Sequence, residues 1–356
     1  MAEIRVITDL FYSARAEIGR QQSVDPSMRQ DSSGRRDYRG RFAPSPTGAL
    51  HFGSLVAALA SYLDARANRG EWLLRIEDLD QARTVRGASD AILHALDRLG
   101  FEWTGAVAVQ SQRVDLYQAA LERLRLAGEV YPCSCSRRDI AARALASAHD
   151  GGRIYPGTCR TGGARRHHPA AWRLRVADCE IAFDDRVQGR FRQNLAQAVG
   201  DFVVLRADAQ FAYQLAVVVD DAEQGVTAVV RGADLLDSTP RQIWLHERLA
   251  LATPSYAHLP VVTDAAGEKL SKQTRAAAID AAQGSPLLAA ALSFLGHAVP
   301  EEIRHAPIRD FWHWATSAWS IAHVPAVRAL PRSLSLAPVT GNTNQNANEV
   351  VARPAQ

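Results

Sequence analysis

The chain has 356 residues, a formal net charge of +3, and is 47% hydrophobic and 22% charged. That length supports one large or two medium domains with a true core, and no apolar run approaches the ~20 residues of a bilayer-spanning helix. The small net charge does not announce a polyanion-binding surface, and four cysteines with three clustered between Cys133 and Cys159 do not make a secreted disulfide framework.

Residues 1–37 read as a disordered extension: no continuous apolar segment of a signal peptide is present, and residues 21–40 are polar and rich in Ser, Arg and Gly. Met1 and Met28 are the two methionines, so translation is expected to start at Met28; the protein is separately expected to be cytoplasmic. A β-prone run from Tyr38 to Phe42 then enters a loop holding Pro44, Pro46 and Gly48. The loop delivers His51 and Gly53 to a helix with Leu55, Ala58, Leu59, Tyr62 and Leu63 on one face. Strand, rigid loop and helix N-terminus make a phosphate-binding device, because unpaired N–H groups and the positive end of the helix dipole face the anion.

Trp72–Ile76 reads as a strand, and Val85–Leu99 and Gln112–Ala127 as helices, giving residues 38–130 a βαβ layout with a parallel sheet. A cysteine-bearing insertion opens at Tyr131, within a subdomain spanning 131–200. Strand patterns return at Asp201–Arg206, Gln214–Val219 and Thr227–Val230. A helix opens near Pro240, and Val261–Thr263 precedes the Lys269 loop, closing a second sheet half at 201–275. Residues 276–335 read as helical (Pro286–Leu295, Phe311–Ala322), with Trp312, Trp314 and Trp319 as a packing surface. Residues 336–356 read as a disordered tail.

Four constellations carry chemistry. Glu77, in Leu74-Arg-Ile-Glu77-Asp-Leu-Asp80, follows a strand where open α/β sheets bind ligands, and its carboxylate suits a substrate ammonium. Arg231, at a strand end, suits a carboxylate gripped through two parallel hydrogen bonds. Lys269 and Lys272 are the chain's two lysines; an otherwise Lys-free chain that keeps them on one loop points to triphosphate chemistry. Cys133, Cys135 and Cys159 suit a tetrahedral Zn²⁺, with Cys179, His167 and His168 as fourth ligands on chemistry alone.

Pro44 to Ser54 resembles the HIGH signature of class I aminoacyl-tRNA synthetases in its glutamyl form. The Glu77 segment resembles the family's RIEDTD stretch, residues 201–242 its sheet core, and Glu268-Lys269-Leu-Ser-Lys272 its KMSKS loop. The resemblance implies an α/β, Rossmann-like class I catalytic domain with a zinc-binding insertion and a short helical C-terminal region. It implies that Arg41, Phe42, Ala43, Pro44, Ser45, Glu77, Tyr213 and Arg231 bind L-glutamate. His51, Gly53, Lys269 and Lys272 would be catalytic, with His51, Gly53 and Lys272 contacting ATP, which enters with Mg²⁺. The Cys-x-Cys…Tyr-x-x-x-Cys arrangement is similar to that of the glutamyl-Q tRNA(Asp) synthetases, a shortened branch in which a tyrosine oxygen completes the shell around one structural zinc. That implies Tyr155 as fourth ligand.

Little chain follows the Lys269 loop where full-length glutamyl-tRNA synthetases continue into anticodon-reading helical domains. The resemblance therefore implies glutamate transfer to queuosine in tRNA(Asp) by a monomer without membrane contact. The alternatives are a truncated glutamyl-tRNA synthetase charging a tRNA 3′ end and a non-catalytic tRNA-binding relative, the latter opposed by intact His51, Gly53, Lys269 and Lys272.

Overall fold

A computed structural model describes residues 37–143, 153–164, 168–264, 267–268 and 277–332. Met28, residues 1–36, the 336–356 tail, His167, Lys269 and Lys272 lie outside the described residues. In chain order the first half holds β1 (Arg39–Phe42), α1 (Phe52–Ala67), β2 (Glu71–Ile76), α2 (Ala88–Arg98), β3 (Ala108–Val109) and α3 (Val114–Leu126). The middle holds β4 (Val130–Cys133), α4 (Arg137–Arg143), β5 (Ala171–Leu174), β6 (Glu180–Asp185), β7 (Gly189–Asn194), α5 (Leu195–Ala198) and β8 (Phe202–Leu205). There follow α6 (Tyr213–Glu223), β9 (Ala228–Gly232), α7 (Thr239–Arg248), β10 (Ser255–Leu259) and β11 (Val261–Thr263). The last described elements are α8 (Ser285–Phe294), α9 (Glu301–Arg304), α10 (Ile308–Ala318) and β12 (Ala329–Pro331).

β1, β2 and β3 are parallel and ordered β1-β2-β3. A second sheet runs β7-β6-β10-β9, with β6, β10 and β9 parallel and β7 returning antiparallel. The free edge of β1 meets β9: the two strands lie in contact, and Thr227 N–H donates to Arg39 O at 2.9 Å. β1 thus has β2 on one side and β9 on the other, and the crevice lies where β1 and β9 end, the place where open α/β sheets bind ligands. β4, β5 and β8 form a separate antiparallel sheet that carries the cysteine segment.

α1 is the hub of the first core. Its alanines let neighbours approach closely, so 11 of its 16 residues are buried, against the sheet on one side and α8 and α10 on the other. Tyr62 sits among Trp72, Phe101 and Trp312 with ring centroids 5.1, 5.2 and 4.8 Å away. Trp312, Trp314 and Trp319 all pack on this core, as the sequence suggested. A second core surrounds α6, with α3, α7 and β8.

The structure corrects one element outright. Gln214–Val219, expected as a strand, lies inside helix α6. Its Val217-Val218-Val219 run favours a strand, but Leu215 through Asp221 are all buried. A helix wrapped by apolar neighbours shows no polar face, and packing overrides the β preference. Smaller differences are end effects. The helix expected from Val85 starts at Ala88 after Gly87 (φ +76°), and the one expected to reach Ala322 ends at Ala318, with Trp319 extended.

Candidate active site and candidate metal centre

A cavity of about 600 Å³ occupies the crevice. The β1 end and its loop contribute Arg41, Phe42, Ala43, Pro44 and Ser45, the start of α1 contributes His51 and Gly53, and the β2 end Glu77. Tyr213, the first residue of α6, and Arg231 of β9 close the opposite wall. The structure thus brings together every described residue for which the sequence suggested glutamate or ATP contact.

The Pro loop is anchored where it needs to be rigid. Glu77 N–H donates to Pro44 O at 3.0 Å and Val85 N–H to Pro46 O at 2.9 Å, fastening the loop to the segment after β2. Gly48 adopts φ +138°, a backbone region closed to most other residues. His51 is the N-cap of α1: its Nδ1 accepts from Ser54 N–H at 3.2 Å. The helix therefore begins at the cavity wall, with the positive end of its dipole facing inward.

Charge in the wall is organised around buried carboxylates. Asp221 accepts from Arg41 Nε at 3.1 Å and from an Arg75 Nη at 2.8 Å, and the same Arg75 nitrogen lies 3.3 Å from Glu77 Oε1. Burial alone would raise the Asp221 carboxyl, but the Arg41 and Arg75 guanidiniums outweigh it and hold it at about 2. Glu77 goes the other way: burial pushes it up, and Arg75 and Arg41 only partly offset this. The Tyr213 phenol is also pushed up by burial, against the pull of Arg231. Asp220, one residue from Asp221, gathers Arg113, Gln110 and Tyr117 at 2.6, 2.8 and 2.8 Å.

Arg231 is gripped on three sides, by His258 Nε2 at 3.0 Å, Thr239 Oγ1 at 2.9 Å and Gln242 Oε1 at 2.8 Å. Its Nη1 is left with a long 3.5 Å approach to the Tyr213 hydroxyl. A cationic edge thus faces the cavity from one wall and Glu77 from another, an arrangement suited to a zwitterion. Sequence reasoning missed Asp221, Asp185, His258, Thr239 and Gln242. The one weak signal was the polar cluster from Ser238 to Gln242 beyond a strand; nothing local marked the others.

In the cysteine segment, the Sγ atoms of Cys133, Cys135 and Cys159 lie within 4.8 Å of one another. Tyr155 points its hydroxyl into the same group, 3.3 Å from Cys133 Sγ and 3.9 Å from Cys135 Sγ, while Cys135 and Cys159 sulfurs are 3.6 Å apart. A tetrahedral ion with bonds of ~2.3 Å places its ligands about 3.8 Å apart, so three thiols and a phenol fit one zinc in spacing and softness. Gly200 (φ +72°) allows the chain before β8 to pass close behind: a Cβ there would lie 2.9 Å from Tyr155 O. Cys179 instead packs against the second core, and His168 is exposed.

The fold and the crevice are those of a class I tRNA synthetase catalytic domain of the E and Q type. The family model for the catalytic domain of class I tRNA synthetases (E and Q) matches residues 37–292. The glutamyl-Q tRNA(Asp) synthetase of Dechloromonas aromatica (strain RCB) is 58% identical over 288 residues, covering 81% of this chain and 96% of that protein. The enzyme of the same name from Aromatoleum aromaticum is also 58% identical over 288 residues, covering 81% of this chain and 90% of its own. Among solved structures, a glutamate tRNA ligase from Elizabethkingia meningosepticum in complex with its amino acid matches with TM-score 0.65 at 25% identity, covering 84% of this chain and 67% of that one. The chain belongs to the glutamyl-Q tRNA(Asp) synthetase family within the class I Glu/Gln synthetases.

Proposed function

We propose that the chain activates L-glutamate with ATP and transfers it to queuosine in the anticodon loop of tRNA(Asp). The observation that carries this reading is the near full-length match to a relative of that name, 58% identical with 96% of the relative covered. The cavity supplies chemistry to go with it. Arg231, Tyr213 and Arg41 receive carboxylate oxygens, and Glu77 receives the ammonium. Ala43, Pro44, Phe42 and Ser45 shape the wall. The glutamate α-carboxylate attacks the α-phosphate of ATP, giving glutamyl-adenylate and pyrophosphate. A hydroxyl of the queuosine cyclopentene-diol then attacks the activated carbonyl and AMP leaves.

No enzyme nucleophile is needed; catalysis rests on positioning and on stabilising developing charge. His51, Gly53 and the N-terminus of α1 face the nucleotide, with Lys269 and Lys272 as the cationic partners of the triphosphate, which enters with Mg²⁺. Cys133, Cys135, Tyr155 and Cys159 would hold one zinc, a closed shell that cross-links the segment and offers no catalytic position. The protein would work as a cytoplasmic monomer; among the described residues no helix is long and apolar enough to cross a membrane.

The deciding experiment measures transfer of labelled glutamate to tRNA(Asp) with and without queuosine. Expected is incorporation confined to the queuosine-containing RNA. Equal incorporation into both would replace the reading with 3′-end charging, and absence of any glutamate activation would leave a binding protein.

A further inference from the structure

Arg231 is aimed from behind. Its strand β9 pairs with β10 so that Arg231 and His258 are direct partners in the parallel register. Arg231 Nε–H donates to His258 Nε2 at 3.0 Å, and the other ring nitrogen, Nδ1, donates to Asp185 Oδ2 at 2.6 Å. Both the imidazole and the Asp185 carboxylate have fully buried side chains. Asp185 cannot swing away, because its Oδ1 accepts three backbone N–H groups: Val187 at 3.0 Å, Gln188 at 2.9 Å and His258 itself at 3.0 Å.

This geometry dictates the ring's protonation. A carboxylate only accepts, so Nδ1 carries the proton; a guanidinium only donates, so Nε2 must offer its lone pair. Burial pushes the imidazole down to about 4 despite the pull of Asp185, which keeps it neutral at pH 7. A protonated ring would present N–H to N–H and break the contact. With Nε held by His258 and Nη2 by Thr239 and Gln242, the guanidinium plane is fixed and Nη1 turns toward Tyr213 and the cavity.

We infer that His258 and Asp185 are positioning residues, a buried pair that fixes the guanidinium plane of Arg231 so that its Nη1 edge receives a carboxylate of the substrate. Describing that carboxylate as glutamate's rests on the function proposed above. Two readouts keep the two ideas separable. The first needs no substrate: ¹⁵N NMR of the histidine side chains should place the His258 proton on Nδ1. In Asp185→Asn it should move to Nε2, because the amide oxygen keeps the backbone N–H bonds while the amide N–H₂ faces Nδ1.

The second readout is glutamate-dependent ATP–pyrophosphate exchange. Asp185→Asn should raise KM for glutamate by about ten- to a hundredfold, the worth of a charged hydrogen bond, while kcat and KM for ATP hold. His258→Gln, whose amide oxygen can face Arg231 Nε, should retain more glutamate affinity than His258→Leu. An Nε2 proton in the wild type, an unchanged KM for glutamate in Asp185→Asn, or KM values for ATP and glutamate rising in step would overturn the inference. A tautomer that flips as expected in a protein without glutamate-dependent exchange would support the positioning of Arg231 and defeat the assigned substrate instead.

Discussion

Arg41 and Asp221, 180 residues apart in the chain, meet in a buried ion pair at 3.1 Å. The contact joins the end of β1 to α6, and through Arg75 it extends to the β2 end, where Glu77 stands. Arg41 and Glu77 line the cavity, and Asp221 and Arg75, which do not, hold them from behind. A buried pair of this kind does little for net stability, since desolvation opposes its attraction, but losing one member leaves an uncompensated charge.

Asp221→Asn tests that asymmetry. It leaves Arg41 and Arg75 buried without their shared carboxylate, and should cost about 3–5 kcal/mol in urea unfolding at pH 7. The acid limb gives a second check. Asp221 is held at about 2 in the folded chain, below the ~3.9 of an unfolded aspartate. Its contribution is thus complete above the unfolded value and is lost as pH falls through the folded one. The stability gap between wild type and variant should close over that window. A gap that stays constant down to pH 2 would contradict the assignment.

Glu77 should impose the opposite signature on substrate binding. Burial raises its carboxyl above the ordinary glutamate value, so acidification neutralises it sooner than it would an exposed glutamate. If Glu77 holds the substrate ammonium, KM for glutamate rises on that acid limb, and Glu77→Gln both flattens the limb and lowers kcat/KM by about ten- to a hundredfold. Steady-state exchange assays across pH measure this; matching acid limbs in the two proteins would remove Glu77 from the site.

How much of this was legible depends on whether the cause is local. The Pro44-to-Ser54 loop announces itself because prolines and glycines fix backbone geometry at their own positions, and Cys133, Cys135 and Cys159 announce themselves by spacing. Strands β2, β9 and β11 carry apolar, β-prone runs between turns. α6 was misread because Leu215–Asp221 is buried all round, so the polar face that reveals helical period is missing. The Asp221–Arg41 and Asp185–His258 pairs are products of strand order, and no window of sequence contains both members. The resemblance pointed to the residues that line the cavity; the structure was needed for those that hold them in place.

Gly70 offers a stability prediction with no charge involved. It sits between α1 and β2, where its N–H donates to Ala65 O at 2.8 Å. A Cβ added there would lie 2.2 Å from Tyr38 O and 2.7 Å from Tyr38 Cβ. Tyr38 cannot yield easily: its carbonyl accepts from Glu71 N–H at 3.0 Å and its hydroxyl bonds Asp64. Gly70→Ala should therefore cost about 1–3 kcal/mol, the range for forced overpacking, seen as a lower thermal midpoint. An unchanged midpoint would mean the α1–β2 connection is looser than its contacts indicate.

At the cysteine cluster, Tyr155 stands apart from the conventional candidates for a fourth ligand. Its hydroxyl lies 3.3 Å from Cys133 Sγ and accepts from Cys159 N–H at 2.8 Å, and the Arg173 guanidinium covers its ring at 3.9 Å. Ring and oxygen are thus held by the protein's own contacts, whereas Cys179 packs into a different core. Metal analysis of the purified protein should give one zinc per chain, and Cys133→Ser or Cys159→Ser should lose it, since thiolates carry most of the affinity. Tyr155→Phe retains three thiolates and should keep zinc at first, yet surrender it to a chelator at lower concentration than the wild type does. Cys179→Ser should match the wild type throughout. If Cys179→Ser loses the metal and Tyr155→Phe resists chelation like the wild type, the fourth ligand is not Tyr155 and the segment must rearrange to bind.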